Sequence, residues 1–256
     1  MAGAVVLGVQ TVHAVMTRRR WIADEVSGSH AALLGSHADH LAHALRARIG
    51  QEFDIATADT VRRGRIVSIT DGRVEFELGE VIPAAVLPNL TLLLSIFKFD
   101  RMEWAIEKCV ELGAARIVPV VAQRTEAHLA AAALKRVERW QRIARQASEQ
   151  SRRSSLPEIS QPVKLNEAVA VARGARIVLA ESEEQVSLKG ALKIALRTLT
   201  PSGEVTLAFG PEGGWTEPEL QWFLSSGWTA ASLGSAILRA ETAAIAATAV
   251  AFAELQ

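Results

Sequence analysis

The stretch Val205-Thr206-Leu207-Ala208-Phe209-Gly210-Pro211-Glu212-Gly213-Gly214-Trp215-Thr216-Glu217-Pro218-Glu219-Leu220 decides how the rest of the chain is read. Its first five residues form a short apolar run, partly β-branched, the pattern of a strand buried on both faces. Three glycines and a proline then break the run. Thr216, with Glu219 three residues on, marks the start of a helix over Glu217–Ser226. Strand, glycine turn and helix in that order make one unit of a parallel α/β sheet. Ligands of such sheets bind beyond the carboxyl ends of the strands, and glycines there let backbone approach a ligand closely. The turn is no P-loop, because no Gly-Lys-Ser/Thr follows, and it is no G-x-G-x-x-G fingerprint. Spacing alone leaves a tight structural connection and a ligand loop as equal readings.

Downstream the pattern repeats. A short strand over Ala230–Leu233 is followed by Gly234 and a helix over Leu238–Leu255. Arg239 and Glu241 stand among small and apolar residues at the start of that helix, either as a structural ion pair or as working groups. Upstream, buried-strand patterns cover Thr91–Phe97, Arg116–Val121 and Arg176–Ala180. Between them the spacing predicts helices over Arg101–Leu112, about Ala130 to Arg152, and Leu188–Leu199. Asp100 with Glu103 reads as a capping box for the first of these, and Gly113 as its stop. Met102, Ala105, Ile106, Cys109, Val110 and Leu112 give it one apolar face.

Before Leu90 the texture differs. Residues 16 to about 85 read as β-rich, with strands at Glu52–Ala56, Gly64–Thr70 and Arg73–Leu78. Asp71-Gly72 is a hairpin signal between the last two. A helix is expected around Ser36–Ala47, and Pro83 to Asn89 reads as a linker.

Composition narrows the function classes. The 256 residues are 49% hydrophobic, as in a folded globular chain. The single cysteine, Cys109, excludes an intrachain disulfide and fits a reducing cytoplasm. Formal net charge is zero, so no global basic field attracts nucleic acid. Arginines nonetheless number 22 against 6 lysines, and a guanidinium fork suits phosphates and base edges. The apolar run Ala243–Ala253 is too short to span a bilayer. Arg18, Arg19 and Arg20 follow the apolar first residues instead of preceding them, which argues against a signal peptide. Met16 is the more natural start, with residues 1–15 a poorly ordered extension.

Glu149-Gln150-Ser151-Arg152-Arg153 ends the long polar helix, with Arg136, Arg139, Arg142 and Arg145 before it and Arg124 after the strand ending at Val121. These residues read as a phosphate-binding surface or as a solvated helix face. His37, His40 and His43 step by three, which drifts around a helix and suits one metal poorly. No metal is expected.

GPEGGWTEPEL (210–220) and LGSAILRAETAAIAATA (233–249) together resemble the carboxyl-terminal signature of the RsmE family, the ribosomal RNA uridine-N3 methyltransferases of the SPOUT class. Other stretches match in order: KFDRMEWAIEKCVELGAARIVPVVAQRTE (98–126), RWQRIARQASEQSRRSSLPEI (139–159) and HADHLAHALRARIGQEFDI (37–55). Ser235 stands where the family has proline, Ala240 where it has threonine, and Trp215 where an aliphatic residue or Phe is commoner.

The resemblance implies a PUA-like RNA-binding β-barrel over 16–85 and a SPOUT α/β methyltransferase domain with a deep trefoil knot over 90–256. It implies a homodimer acting on 16S ribosomal RNA or the small ribosomal subunit, with S-adenosyl-L-methionine as cofactor. It places that cofactor against Ala180, Glu181, Gly210, Pro211, Glu212, Gly213, Leu233, Gly234, Ile237 and Leu238. The chemistry would be displacement at a sulfonium methyl by a deprotonated uracil nitrogen. Arg239 is the candidate to stabilise the charge on the uracil oxygens, and Glu212 or Glu241 the candidate to accept the proton. Arg18, Arg19, Arg20, Arg46, Arg124, Arg152 and Arg153 are the candidate RNA contacts. A ribose 2′-oxygen methyltransferase of the same class and a non-catalytic RNA-binding module are the competing readings.

Overall fold

The computed structural model describes residues 20–57, 60–83, 89–197 and 203–255. The expected extension, with Arg18 and Arg19, lies outside them.

The amino-terminal part is a mixed sheet of β1 (Arg20–Ile22), β2 (Glu25–Ser27), β3 (His30–Leu34), β4 (Glu52–Ala56), β5 (Val61–Thr70) and β6 (Arg73–Ile82), in the order β1-β4-β5-β6-β3-β2. Only β1 and β4 pair in parallel among them. Period-two patterning sets the faces. Val74, Phe76 and Leu78 of β6 are buried with Trp21, Leu33, Phe53, Ile55 and Ile66, while Arg73 and Glu75 between them pair at 2.8 Å. Gly72 takes φ +67°, which the tight β5–β6 turn requires.

The expected helix near residue 36 is α1 (Gly35–Asp39) running into a π turn over His40–Ala44. It stops before Ala47, because Arg46 turns to φ +52°, outside the helical region. The three histidines diverge. His37 meets Asp24, His40 lies against the Trp21 ring, and His43 is exposed beside Asp39 and Asp71.

The carboxyl-terminal part runs β7 (Asn89–Ser95), α2 (Phe99–Glu111), β8 (Arg116–Val121), α3 (Ala127–Ala133), α4 (Val137–Gln150), β9 (Glu158–Ile159), β10 (Val163–Lys164), α5 (Leu165–Val171), β11 (Ala175–Leu179), α6 (Leu188–Leu196), β12 (Glu204–Phe209), α7 (Glu217–Ser225), β13 (Thr229–Ala231) and α8 (Ala240–Leu255). Its strands pair in parallel in the order β10-β8-β7-β12-β11-β13, with β9 also on β8. Alternate strand side chains feed two cores. Leu90, Leu92 and Leu94 pack towards α2, α4, α6 and α8, whereas Leu93, Val118 and Val178 pack towards α5 and α7. The sheet is therefore covered on both faces, as its continuous apolar strands require.

Three local expectations are corrected. No capping box starts α2: the helix begins at Phe99 and Lys98 caps it without a side-chain bond. Glu103 is instead drawn to Arg139 at 2.8 Å and Arg136 at 3.7 Å. The helix expected over 130–152 is divided by a 3-10 turn at Leu134–Arg136. Helix α8 begins at Ala240, two residues later than expected, and α5 carries a helix that the sequence reading missed.

Cys109 is fully buried in α2, where loss of solvent pushes its thiol up to about 12 and leaves it inert.

Candidate active site

An open cleft of about 230 Å³ lies at the carboxyl ends of the adjacent strands β12, β11 and β13. This is where parallel α/β sheets present their ligands. The strand register puts Ala208 beside Val178 and Leu179 beside Ala231, so the segments leaving these strands emerge side by side.

The first wall is the glycine turn. Gly210, Pro211, Glu212 and Gly213 all face the cleft. A Cβ on Gly210 would stand 3.2 Å from the Gly214 Cα, tighter than ordinary contact. Gly214 takes φ +67° and its N–H bonds the Pro211 carbonyl at 2.8 Å. Trp215 anchors the far end. Its indole N–H donates to the Leu179 carbonyl at 3.0 Å, and its ring meets Phe223 edge-on at 4.9 Å. The Thr216–Glu219 capping box is present, and the buried Glu219 also accepts the Gln123 N–H at 2.8 Å.

The second wall is Leu233, Gly234 and Leu238, with Gly234 at φ +117°. Ala180 and Glu181 form the floor beyond β11. Ile237 departs from this group: it is 83% exposed and lies off the lining.

The charged groups are arranged differently from the sequence expectation. Glu241 is 4% exposed but does not pair with Arg239. Its partner is Arg101, whose Nε lies 3.8 Å from Glu241 Oε1 and whose Nη1 lies 3.2 Å from Glu212 Oε1. One guanidinium in the first turn of α2 thus faces Glu212 of the first wall and the buried Glu241 of α8, which lies off the lining. Glu241 Oε2 is buried without a hydrogen-bond partner among the described residues. Arg239 is exposed, and among the described residues its guanidinium has no ion pair. Of the two readings the sequence leaves open, the structural ion pair with Glu241 is not formed. The helix begins after Arg239, so its side chain stays in solvent between Leu238 and Ala240, both of which line the cleft. Sequence reasoning missed Arg101. The one available signal is a cation in the first turn of a helix, where the helix dipole disfavours it unless carboxylates answer it.

The expected RNA contacts separate. Arg46 and Arg152 are exposed at φ +52° and +58°. The Arg20 guanidinium donates to the Arg152 carbonyl. Arg124 serves the glycine turn, donating to the Gly213 carbonyl at 2.5 Å and to that of Trp215 at 3.2 Å. Arg153 cannot be a surface contact. It is 5% exposed and donates to the Val110 and Ala114 carbonyls at 2.8 and 2.7 Å. Burial pulls its pKa down to about 10, as expected for a cation removed from water. The orphan carbonyls at the end of α2 explain its place.

A family profile described as an RNA methyltransferase domain matches residues 85–252. Ribosomal RNA small subunit methyltransferase E of Synechocystis sp. is 35% identical over 156 residues, 60% of this chain and 50% of that protein. The protein of that name from Aquifex aeolicus is 30% identical over 174 residues, 67% of this chain and 72% of that protein. Among solved structures, ribosomal RNA small subunit methyltransferase E from Neisseria gonorrhoeae bound to S-adenosyl methionine superposes with a TM-score of 0.77 at 29% identity. That likeness covers 91% of this chain and 95% of the gonococcal one. The sequence match spans about half the length of the Synechocystis relative. No helix among the described residues is long and apolar enough to cross a membrane.

Proposed function

Because this chain belongs to the ribosomal RNA small subunit methyltransferase E family, we propose that it methylates the N3 atom of a uridine in 16S ribosomal RNA, using S-adenosyl-L-methionine. The observation that carries the proposal is the cleft itself. Two glycine-bearing loops from neighbouring parallel strands converge there, and an exposed arginine stands at its rim.

The residues present fit the cofactor. A Cβ on Gly214 or Gly234 would meet nothing within 4 Å, so both glycines border open space at positive φ. Leu179, Ala180, Leu233 and Leu238 offer apolar surface, and Glu181 a carboxylate. When bound, the cofactor supplies an electrophilic methyl group on sulfonium sulfur. The chain's own residues do the rest. The loops at 210–213 and 233–238 orient the reactants, and positioning of this kind accounts for much of the acceleration. Glu212 faces the cleft and takes the imide proton. Glu241 is buried behind the wall, where Arg101 holds it. Arg239 stabilises the negative charge that spreads to the uracil oxygens.

The same reading makes residues 16–85 a PUA-like RNA-binding β-barrel and residues 90–256 a SPOUT domain with a deep trefoil knot, preceded by an extension over 1–15. Separate hydrophobic cores on the two sides of residue 85 support that division. The RNA lies against Arg46, Arg152 and the segment bearing Arg18, Arg19 and Arg20. The enzyme works as a cytoplasmic homodimer.

Purified protein, S-adenosyl-L-methionine and small-subunit RNA, followed by nucleoside mass spectrometry, test this. The expected product is 3-methyluridine. A methyl group on a ribose oxygen would mean the 2′-oxygen reaction instead, and cofactor-independent RNA binding with no product would mean a binding module.

A further inference from the structure

The hydrophobic cores on the two sides of the 84–88 connection share no residue: the amino-terminal cores end at Ile82 and the carboxyl-terminal ones begin at Leu90. Packing of a common core therefore does not set the angle between the two sheets. Polar contacts from one helix, α4, reach across instead.

Arg145, near the carboxyl end of α4, is the centre of these contacts. Its Nη1 lies 3.0 Å from Asp24 Oδ1 and 3.4 Å from the Ile22 carbonyl, both just beyond or within β1. The other Asp24 oxygen accepts the Leu34 N–H at 2.9 Å and faces His37 Nδ1 at 3.3 Å. That same Nδ1 lies 3.4 Å from Arg145. The side chains of Arg145, Asp24 and His37 are only 20%, 18% and 22% exposed, so solvent screens the group weakly. Two residues past the end of α4, the Arg152 carbonyl accepts the Arg20 guanidinium.

The helix that carries this joint is itself rigidly seated. Trp140, Ala144, Ala147 and Ser148 are buried in the main core, Arg139 is paired to Glu103 of α2 at 2.8 Å, and Arg153 is bonded to the end of α2. Helix α2 in turn bears Arg101, which is paired with Glu212 of the first cleft wall and with the buried Glu241 of α8. The amino-terminal sheet is thus fixed to the frame that builds the cleft.

We propose that Arg145 is a positioning residue: through Asp24 it sets the amino-terminal sheet at the angle at which RNA held there presents its base to the cleft. The RNA half of this statement rests on the function proposed above; the joint itself does not.

The full chain with Arg145→Ala, Arg145→Lys and Asp24→Asn tests it by three readouts: cofactor affinity by calorimetry, KM and kcat for RNA at saturating cofactor, and small-angle scattering. Cofactor affinity should stay within about twofold in every variant, since none touches the cleft. Arg145→Ala should raise the KM for RNA about tenfold, the scale of one coupled polar contact. Arg145→Lys, which keeps the charge but loses the fork, should fall between it and the wild type.

Asp24→Asn separates a joint from a direct RNA contact. Removing a negative charge would tighten a purely electrostatic RNA contact, whereas loss of the joint weakens it. A lower KM in Asp24→Asn, or an unchanged KM in Arg145→Ala, overturns the proposal. If the wild type methylates no RNA, the functional reading has failed and scattering alone judges the joint. A broader size distribution in Arg145→Ala then upholds it, and a profile identical to the wild type refutes it.

Discussion

Arg239 and Arg101 are placed differently: the first is exposed beside the cleft, the second is paired with two carboxylates. Among the described residues the solvated Arg239 guanidinium at the cleft rim has no ion pair, whereas Arg101 faces Glu212 and Glu241. Arg239→Ala should therefore lower kcat about a hundredfold, the usual loss for one oxyanion donor, with cofactor affinity by calorimetry unchanged. Loss of cofactor affinity with normal single-turnover methylation would make Arg239 a binding residue. Arg101→Ala should leave the Glu241 carboxylate buried without its cation and cost on the order of 2 kcal/mol in denaturant unfolding. The double variant Arg101→Met/Glu241→Met should recover most of that loss, because removing both charges removes the unpaired one. No recovery would mean that Arg101 acts chiefly through Glu212. The loops themselves were legible, because strand, glycine and helix follow one another directly in the chain. Arg101 was not, because it meets Glu212 from 111 residues away.

Elements show the same division between local and distant causes. Strands bounded by glycine or hairpin signals stand where the sequence puts them: Arg116–Val121 and Glu52–Ala56 are reproduced to the residue. Starts and breaks set by tertiary contacts were not legible. Helix α2 begins early because Glu103 faces Arg139 and is not used as a cap. The helical periodicity expected over about Ala130 to Arg152 runs through a 3-10 turn at Leu134–Arg136, beyond which Trp140 packs against Phe99. Helix α8 bears on association. It buries Glu241, Ala244, Ala247, Thr248 and Ala251, while Ala243, Ile245, Ala246, Ala249, Val250 and Phe252 on its other sides are only partly covered. A helix apolar nearly all round requires more cover than one face provides. Sedimentation equilibrium at micromolar concentration should give a homodimer; a stable, active monomer would refute it.

At the scale of the whole molecule, the parallel α/β sheet, the β-rich amino-terminal part and the change of texture near Leu90 were legible, because each follows from hydrophobic period. The fixing of one sheet to the other was not, because it depends on single polar groups such as Arg145 and Asp24. Burial would raise the Asp24 pKa, but the His37 and Leu34 hydrogen bonds and the Arg145 charge outweigh it and bring it below its ordinary 3.8. A carboxylate depressed on folding stabilises the native state above its unfolded pKa, and that contribution is lost as pH falls through the folded value. The Tm gap between wild type and Asp24→Asn should accordingly be full above about pH 4 and narrow below it. A gap constant across that range would show that Asp24 contributes nothing through its charge. The most direct measurement of the proposed function is mass spectrometry of 16S ribosomal RNA from a strain lacking this protein. One base methyl group on a uridine should be missing, restored by the wild-type chain and not by Gly213→Val, whose Cβ would press on Arg124 at 3.3 Å. An unchanged methylation pattern in the deletion strain, or full restoration by Gly213→Val, would contradict it.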